Sequence, residues 1–193
     1  VAQIGALVNQ AEQVRGQGVR IGIIDSGVEN TFLYYFLGEL PNATTIDFTG
    51  QGFNKAGSGD HGTACAEIVH DVAPDAELNL LRVESLSDLA EAVIWSIDNN
   101  IHIVSHSLGW LYSGMGDGKG NAAYLADFAA DNGVLFVDAA GNNNNDEIHN
   151  GTWQDNDADG WHNFKPGVEV IPLAPVTFGQ DIDIQLTWDD WAP

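Results

Sequence analysis

The sequence predicts an α/β fold, a doubly wound and mostly parallel sheet with helices on both faces. Three observations lead to this prediction. Over roughly the first 140 residues, short apolar runs alternate with segments whose apolar residues recur at helical spacing. The apolar runs are continuous, as in strands that helices cover on both sides. Uncommon polar residues follow several of these runs, where sheets of this kind bind their ligands.

Five apolar runs are predicted to be strands. The first, RIGIID, is apolar up to its closing acid, and the turn residues Ser26 and Gly27 follow it. The last, at 134–139, is predicted to be as buried as the others. The predicted strands are residues 20–25, 44–48, 77–83, 101–107 and 134–139.

Three segments between the strands are predicted to be amphipathic helices. Ser87 is the expected N-cap of the second helix, and Gly133 is expected to end the third. The connection from Glu29 to Asp60 is long, which indicates either a function or an insertion. The predicted helices are residues 61–70, 87–99 and 121–132.

The composition changes after Asn142, where four asparagines stand in a row before acids, glycine and tryptophan. Later runs such as 182–186 alternate apolar and polar residues, as strands with one wet face do. We therefore expect an incomplete α/β domain over residues 1–146 and the beginning of a β-rich insertion over residues 147–193.

The charge balance excludes some classes of partner. The chain carries 28 acidic and 6 basic side chains, a formal net charge of −22. Such a surface repels phosphate backbones and anionic headgroups, so nucleic acid and a polybasic membrane anchor are excluded. No apolar run approaches the ~20 residues of a membrane span. The acidity favours a secreted protein, and the single cysteine, Cys65, leaves the redox compartment open.

Three polar residues can form a catalytic site. Asp25 ends a buried strand, where a carboxylate needs a partner. His61 opens a helix, whose dipole favours the neutral imidazole that a general base requires. Asn142 follows the small-residue turn 139–141 and can present its amide NH₂ to a developing negative charge.

The order of these motifs resembles that of the subtilisin-like serine peptidases, over about residues 18–145. An Asp motif, a His motif, a run after the His helix, a substrate-pairing segment and an oxyanion motif follow one another as in that family. The segments that carry the resemblance are 23–28 (IIDSGV), 61–63 (HGT), 72–76 (VAPDA), 105–109 (SHSLG) and 139–142 (AAGN).

The resemblance implies a role for each matching residue. Asp25 orients and stabilises the base, His61 moves the proton, and Asn142 completes the oxyanion hole, with no cofactor for the chemistry. A peptide or protein is the implied substrate. Its cleft is expected to be lined by Ser107, Leu108 and Gly109, and a wall of its specificity pocket by Ala139, Ala140 and Gly141.

The family's nucleophile is missing from its expected place. It lies in a Gly-Thr-Ser motif after the oxyanion Asn, but all eight serines here precede Asn142. We therefore expect a peptidase fragment that is inactive alone. A non-catalytic, calcium-dependent binding module on the same scaffold is the alternative. A third interpretation, an ordinary doubly wound ligand-binding domain, lacks a Gly-rich phosphate loop in the required context.

Two further features have competing interpretations. Asp155, Asp157 and Asp159 stand at alternate positions before Gly160, which suits a small calcium loop. An EF-hand is excluded because its twelfth position, which needs Glu, would be Pro166. A solvated acidic loop is the alternative. The histidines at 61, 70, 102 and 106 allow a zinc site, although structural histidines are favoured.

Overall fold

The computed structural model describes residues 3–53, 59–110, 113–114, 118–142, 151–171 and 178–179. These residues belong to two compact units, which divide between Ala140 and Gly141. The predicted boundary near Glu147 and the predicted strand at 182–186 lie outside the described residues.

The first unit is built on a five-stranded, entirely parallel sheet in the order β2-β3-β1-β4-β5. This architecture confirms the predicted fold class. Each strand lies within a predicted apolar run, and no strand is longer than its run. The strands are β1 Arg20–Asp25, β2 Thr44–Asp47, β3 Glu77–Arg82, β4 Ile103–His106 and β5 Leu135–Asp138.

The part of the chain that the structure describes contains five helices. Three coincide with the predicted helices, and two short ones do not: α1 stands before β1, and α2 lies inside the connection that sequence reasoning left without a helix. The helix α2 escaped prediction because its sequence, TFLYYFL, has no polar stripe. The helices are α1 Ala6–Ala11, α2 Thr31–Leu37, α3 His61–Val72, α4 Leu86–Asp98 and α5 Asn121–Asp131.

The sheet separates two apolar clusters, because successive strand side chains point to opposite faces. Ile23 of β1 packs in the cluster that α3 completes with Ala66. Ile24, its neighbour, packs in the cluster that α4 and α5 complete with Val93 and Ala129. Helix α3 therefore covers one face, and α4 and α5 cover the other. In the part of the chain that the structure describes, no helix is long and apolar enough to cross a membrane.

Two details differ from the sequence prediction. The N-cap of α4 is Ser85 and not Ser87: Ser85 Oγ accepts from the Asp88 N–H, and the Asp88 carboxylate accepts from the Ser85 N–H in return. The strand β5 is not buried. Its residues Leu135 and Val137 are 58% and 50% exposed, because β5 is the last strand of the described sheet.

A buried guanidinium fixes the loops at the carboxyl ends of β1 to β3. Arg82 is fully buried and donates to the Ser26 carbonyl (3.2 Å) and Thr49 Oγ1 (2.9 Å). It also contacts the carboxylates of Asp47 and Glu84. Burial pushes the pKa of Asp47 upward, but hydrogen bonds from Thr49 and from the Gly52 N–H outweigh it and hold that pKa below its usual range.

Candidate active site

Asp25 and His61 meet at the carboxyl end of β1. Asp25 is 1% exposed; its Oδ1 accepts from the Gly27 N–H at 2.9 Å, and its Oδ2 lies 2.7 Å from His61 Nδ1. A carboxylate can only accept, so the imidazole proton sits on Nδ1 and Nε2 is left with a lone pair. The His61 side chain is 64% exposed, so its ring is accessible to a bound molecule.

The close approach of α3 to β1 requires glycine at position 62. The Gly62 N–H donates to the Gly27 carbonyl at 2.6 Å, which ties the start of α3 to the turn after β1. A Cβ at this position would lie 2.4 Å from Asp25 Cβ and 2.9 Å from Gly27 O. These distances are far below van der Waals contact, so Gly62 lets His61 reach the buried carboxylate.

Cys65 lies one helical turn beyond His61, with Sγ 4.0 Å from His61 Nδ1. Burial raises the pKa of the Cys65 thiol, while a hydrogen bond with the Ser107 side chain acts in the opposite direction. The thiol therefore stays protonated at neutral pH, which favours the interpretation of Cys65 as a small, half-buried hydrophobe over a nucleophile.

The segment Ser107–Gly109 follows β4 directly, since that strand ends at His106. The Ser107 side chain is near enough to the Cys65 thiol of α3 to oppose the rise in pKa that burial causes there. Leu108 packs on the opposite cluster, and Gly109 is exposed with open space where a Cβ would stand. Ser107 therefore lies near Cys65 of α3, and the substrate-binding role of Ser107–Gly109 stays a prediction from its motif.

The oxyanion motif is divided between the two units. Ala139 and Ala140 follow β5 in the first unit, and the Ala139 N–H donates to the His106 carbonyl at 3.1 Å. Gly141 and Asn142 belong to the second unit. The oxyanion role of Asn142 therefore stays a prediction from its motif.

The acidic loop of the second unit gathers three carboxylates. Oxygens of Asp155, Asp157 and Asp159 lie within 4.8 Å of one another. The Asp155 carboxylate also accepts from the Asp159 and Gly160 N–H groups, at 3.2 and 3.0 Å. Repulsion from Asp159 raises the pKa of Glu169, with burial and Asp157 adding to it. Negative charge is therefore concentrated here, on the oxygen ligands that Ca²⁺ prefers.

Within the described ranges, His70, His102 and His106 belong to no group of converging metal ligands. His102 Nδ1 accepts from the Arg20 N–H. His106 is buried and lies 2.6 Å from an Asp138 oxygen, a pair that sequence reasoning missed. The available signal was that both residues end neighbouring strands.

Comparison with known proteins places this site in a family. The model of the subtilase family matches residues 16–163. The chain therefore belongs to the subtilase family.

Two curated relatives are similar over much of this chain. A thermostable alkaline protease of Halalkalibacterium halodurans is 30% identical, over 66% of this chain and 36% of its own length. Alkaline elastase YaB of Bacillus sp. strain YaB is 26% identical, over 74% of this chain and 39% of its own. The chain thus spans little more than a third of the length of these curated relatives.

Solved structures agree on the fold. A lanthipeptide protease superposes with a TM-score of 0.51 at 20% identity, over 69% of this chain and 43% of that one. MycP1, solved without its N-terminal propeptide, also gives 0.51, at 22% identity over 82% of this chain and 53% of its own.

Proposed function

We propose that this chain supplies the base and the substrate-pairing edge of a subtilisin-like serine endopeptidase. The observation that carries the proposal is the 2.7 Å contact between His61 Nδ1 and the buried carboxylate of Asp25. The subtilase family membership supports it. A non-catalytic binding module would not need this pairing, and no observation favours that alternative.

In this proposal His61 moves one proton twice. Its Nε2 takes the proton of a serine hydroxyl as that oxygen attacks the peptide carbonyl, and then gives it to the leaving amine. Asp25 holds the ring and stabilises the imidazolium. Asn142 donates its amide N–H to the oxyanion, the role that its counterpart has in subtilisin itself. Water then releases the acyl group by the same proton path.

The nucleophile in this proposal is not among residues 1–193. Ser107 lies beside Cys65, but it belongs to the segment that we assign to substrate. An extended peptide would add as a strand along Ser107–Gly109. The wall formed by Ala139, Ala140 and Gly141 would then face a substrate side chain. We further propose a secreted enzyme, on the acidity of the chain.

A fluorophosphonate probe tests the proposal, because it labels serines that a working base activates. We expect the full-length protein to be labelled, the His61→Ala variant to be unlabelled and residues 1–193 alone to be unlabelled. His70→Gln is the matched control, since His70 lies at the other end of α3, and it should keep labelling. Labelling of His61→Ala at the normal rate would refute the proposal.

We also propose that Asp155, Asp157 and Asp159 bind one structural Ca²⁺. Their convergence and the raised pKa of Glu169 support it, because a divalent cation would relieve this repulsion. Tb³⁺ luminescence sensitised by the adjacent Trp161 measures the site directly. We expect a signal that Ca²⁺ displaces and that Asp157→Asn weakens at least about tenfold in affinity. Asp127→Asn, on α5, is the control; equal affinities in both variants would contradict the site.

A further inference from the structure

His106 ends β4 on the face of the sheet opposite to α3. Its neighbours on β4 alternate, with Ile103 in the cluster under α3 and Val104 in the cluster under α4 and α5. The parallel register sets His106 beside Ile24 on one side and Asp138 on the other. The His106 side chain is 1% exposed, so both of its ring nitrogens need partners inside the protein.

Both nitrogens have partners, and the partners determine the tautomer. The Trp110 indole N–H donates to His106 Nε2 at 3.0 Å, and an indole can only donate. Nε2 is therefore the acceptor and the ring proton sits on Nδ1. That proton is donated to Asp138 Oδ1 at 2.6 Å. The carboxylate thus selects the tautomer in which His106 can hold Trp110.

The bond between His106 and Trp110 closes the short stretch of chain that contains Ser107–Gly109. His106 and Trp110 are the residues immediately before and after Ser107–Gly109. Their side-chain bond spans the segment on the α4–α5 side, while the Ser107 side chain is near the Cys65 thiol of α3. The rings of His106 and Trp110 are also nearly parallel, at 11°, with centroids 6.1 Å apart. The two ends of the segment are therefore held together by a contact between their side chains.

We propose that His106, Trp110 and Asp138 are positioning residues: they hold Ser107–Gly109 in the conformation that pairs with an extended peptide. This inference rests on the proposed function of that segment. The contribution is indirect, because these residues act through the backbone between His106 and Trp110. Loss of these residues should therefore slow the hydrolysis of long peptides, which pair with Ser107–Gly109, and not of short ones, which do not reach that segment.

Peptide length provides the test. In the full-length protein, kcat/KM is measured with a tetrapeptide p-nitroanilide and with a single-residue p-nitroanilide of the same P1 residue. We expect Trp110→Phe, which removes the indole N–H but keeps a ring, to lower the tetrapeptide value about five- to tenfold, mainly through KM. The single-residue value should stay within about twofold, because the Asp25–His61 pair is unchanged.

Two further variants separate positioning from general destabilisation. His106→Gln supplies an amide oxygen that can accept from the Trp110 indole, so it should retain most of the wild-type kcat/KM for the tetrapeptide. His106→Leu supplies no acceptor and should lose it. Trp95→Phe is the matched control, since Trp95 of α4 packs against the same apolar cluster. An equal loss on both substrates, or the same loss in Trp95→Phe, would overturn the proposal.

NMR of the 193-residue chain tests the geometry without activity. Long-range ¹H–¹⁵N spectra should show His106 protonated on Nδ1 and unprotonated on Nε2, with a slowly exchanging Trp110 indole N–H. Protonation on Nε2 would overturn the proposal. If the full-length wild type hydrolyses neither substrate, the proposed function is overturned. If it hydrolyses both and no variant changes the ratio of the tetrapeptide to the single-residue value, only the positioning role is overturned.

Discussion

At the scale of single residues, Gly62 leaves no room for a side chain. A Cβ would meet Asp25 Cβ at 2.4 Å, and neither atom can move without shifting β1 or α3. We expect Gly62→Ala to displace His61 from Asp25 and to lower kcat/KM by about a hundredfold, because displacements near 1 Å have this effect. Overpacking should also lower the free energy of unfolding by about 1–3 kcal/mol.

Steady-state kinetics and urea unfolding of the full-length protein measure both effects in the same preparation. Ala64→Ser is the control, because Ala64 is exposed on the same turn of α3 and should tolerate the hydroxyl. A Gly62→Ala variant with normal kcat/KM would contradict the prediction, because it would mean that α3 can shift while His61 stays paired with Asp25.

Sequence reasoning found the single residues but only some of their partners. Asp25 and His61 were identifiable because each stands at the boundary of an element and in a recognisable motif. The pairing of His106 with Asp138 was not, because 32 residues separate them and only the register of β4 against β5 brings them together. Gly62 stands in the HGT motif, but the sequence does not show the atoms that a Cβ there would meet.

At the scale of elements, the start of α4 depends on which of two serines caps it. Ser85 accepts from the Asp88 N–H, whereas Ser87 is exposed in the first turn. We expect Ser85→Ala to reduce the free energy of unfolding by about 1 kcal/mol, the usual value of an N-cap. Ser87→Ala should change it by less than about 0.5 kcal/mol. Equal losses in urea unfolding would contradict the assignment of Ser85 as the cap.

The elements themselves were predictable where a pattern is strong. The apolar positions Leu89, Ala92 and Val93 recur at helical spacing, and all three are buried in α4. The cap was misplaced because Ser85 and Ser87 both suit the position, and only the reciprocal bond with Asp88 distinguishes them. The parallel direction of the strands followed from their continuous apolarity. Their spatial order did not, because it depends on contacts between distant segments.

At the scale of the whole molecule, a net charge of −22 should make stability depend on salt. Like charges repel one another more in the compact state than in the unfolded chain. Raising NaCl from about 0.01 to 1 M shortens the Debye length from about 30 to 3 Å. We expect Tm to rise by about 5 °C or more across this range.

Differential scanning calorimetry without divalent cations measures the salt effect. Sucrose at matched osmolality is the control, because it is excluded from protein surfaces but screens no charge. A fall in Tm with salt would mean that ion pairs such as Arg15–Asp75 outweigh the general repulsion.

The exposed face of β5 has a practical consequence for anyone who purifies this polypeptide. Among the described strands β5 is outermost on its side of the sheet, and a strand in that position offers its outer backbone groups to any other strand. Leu135 and Val137 add apolar surface on its exposed face. Mutual repulsion keeps two copies apart at low ionic strength. The salt that makes each molecule harder to melt therefore also removes the barrier to edge-to-edge association, so heat resistance and solubility should respond to salt in opposite directions.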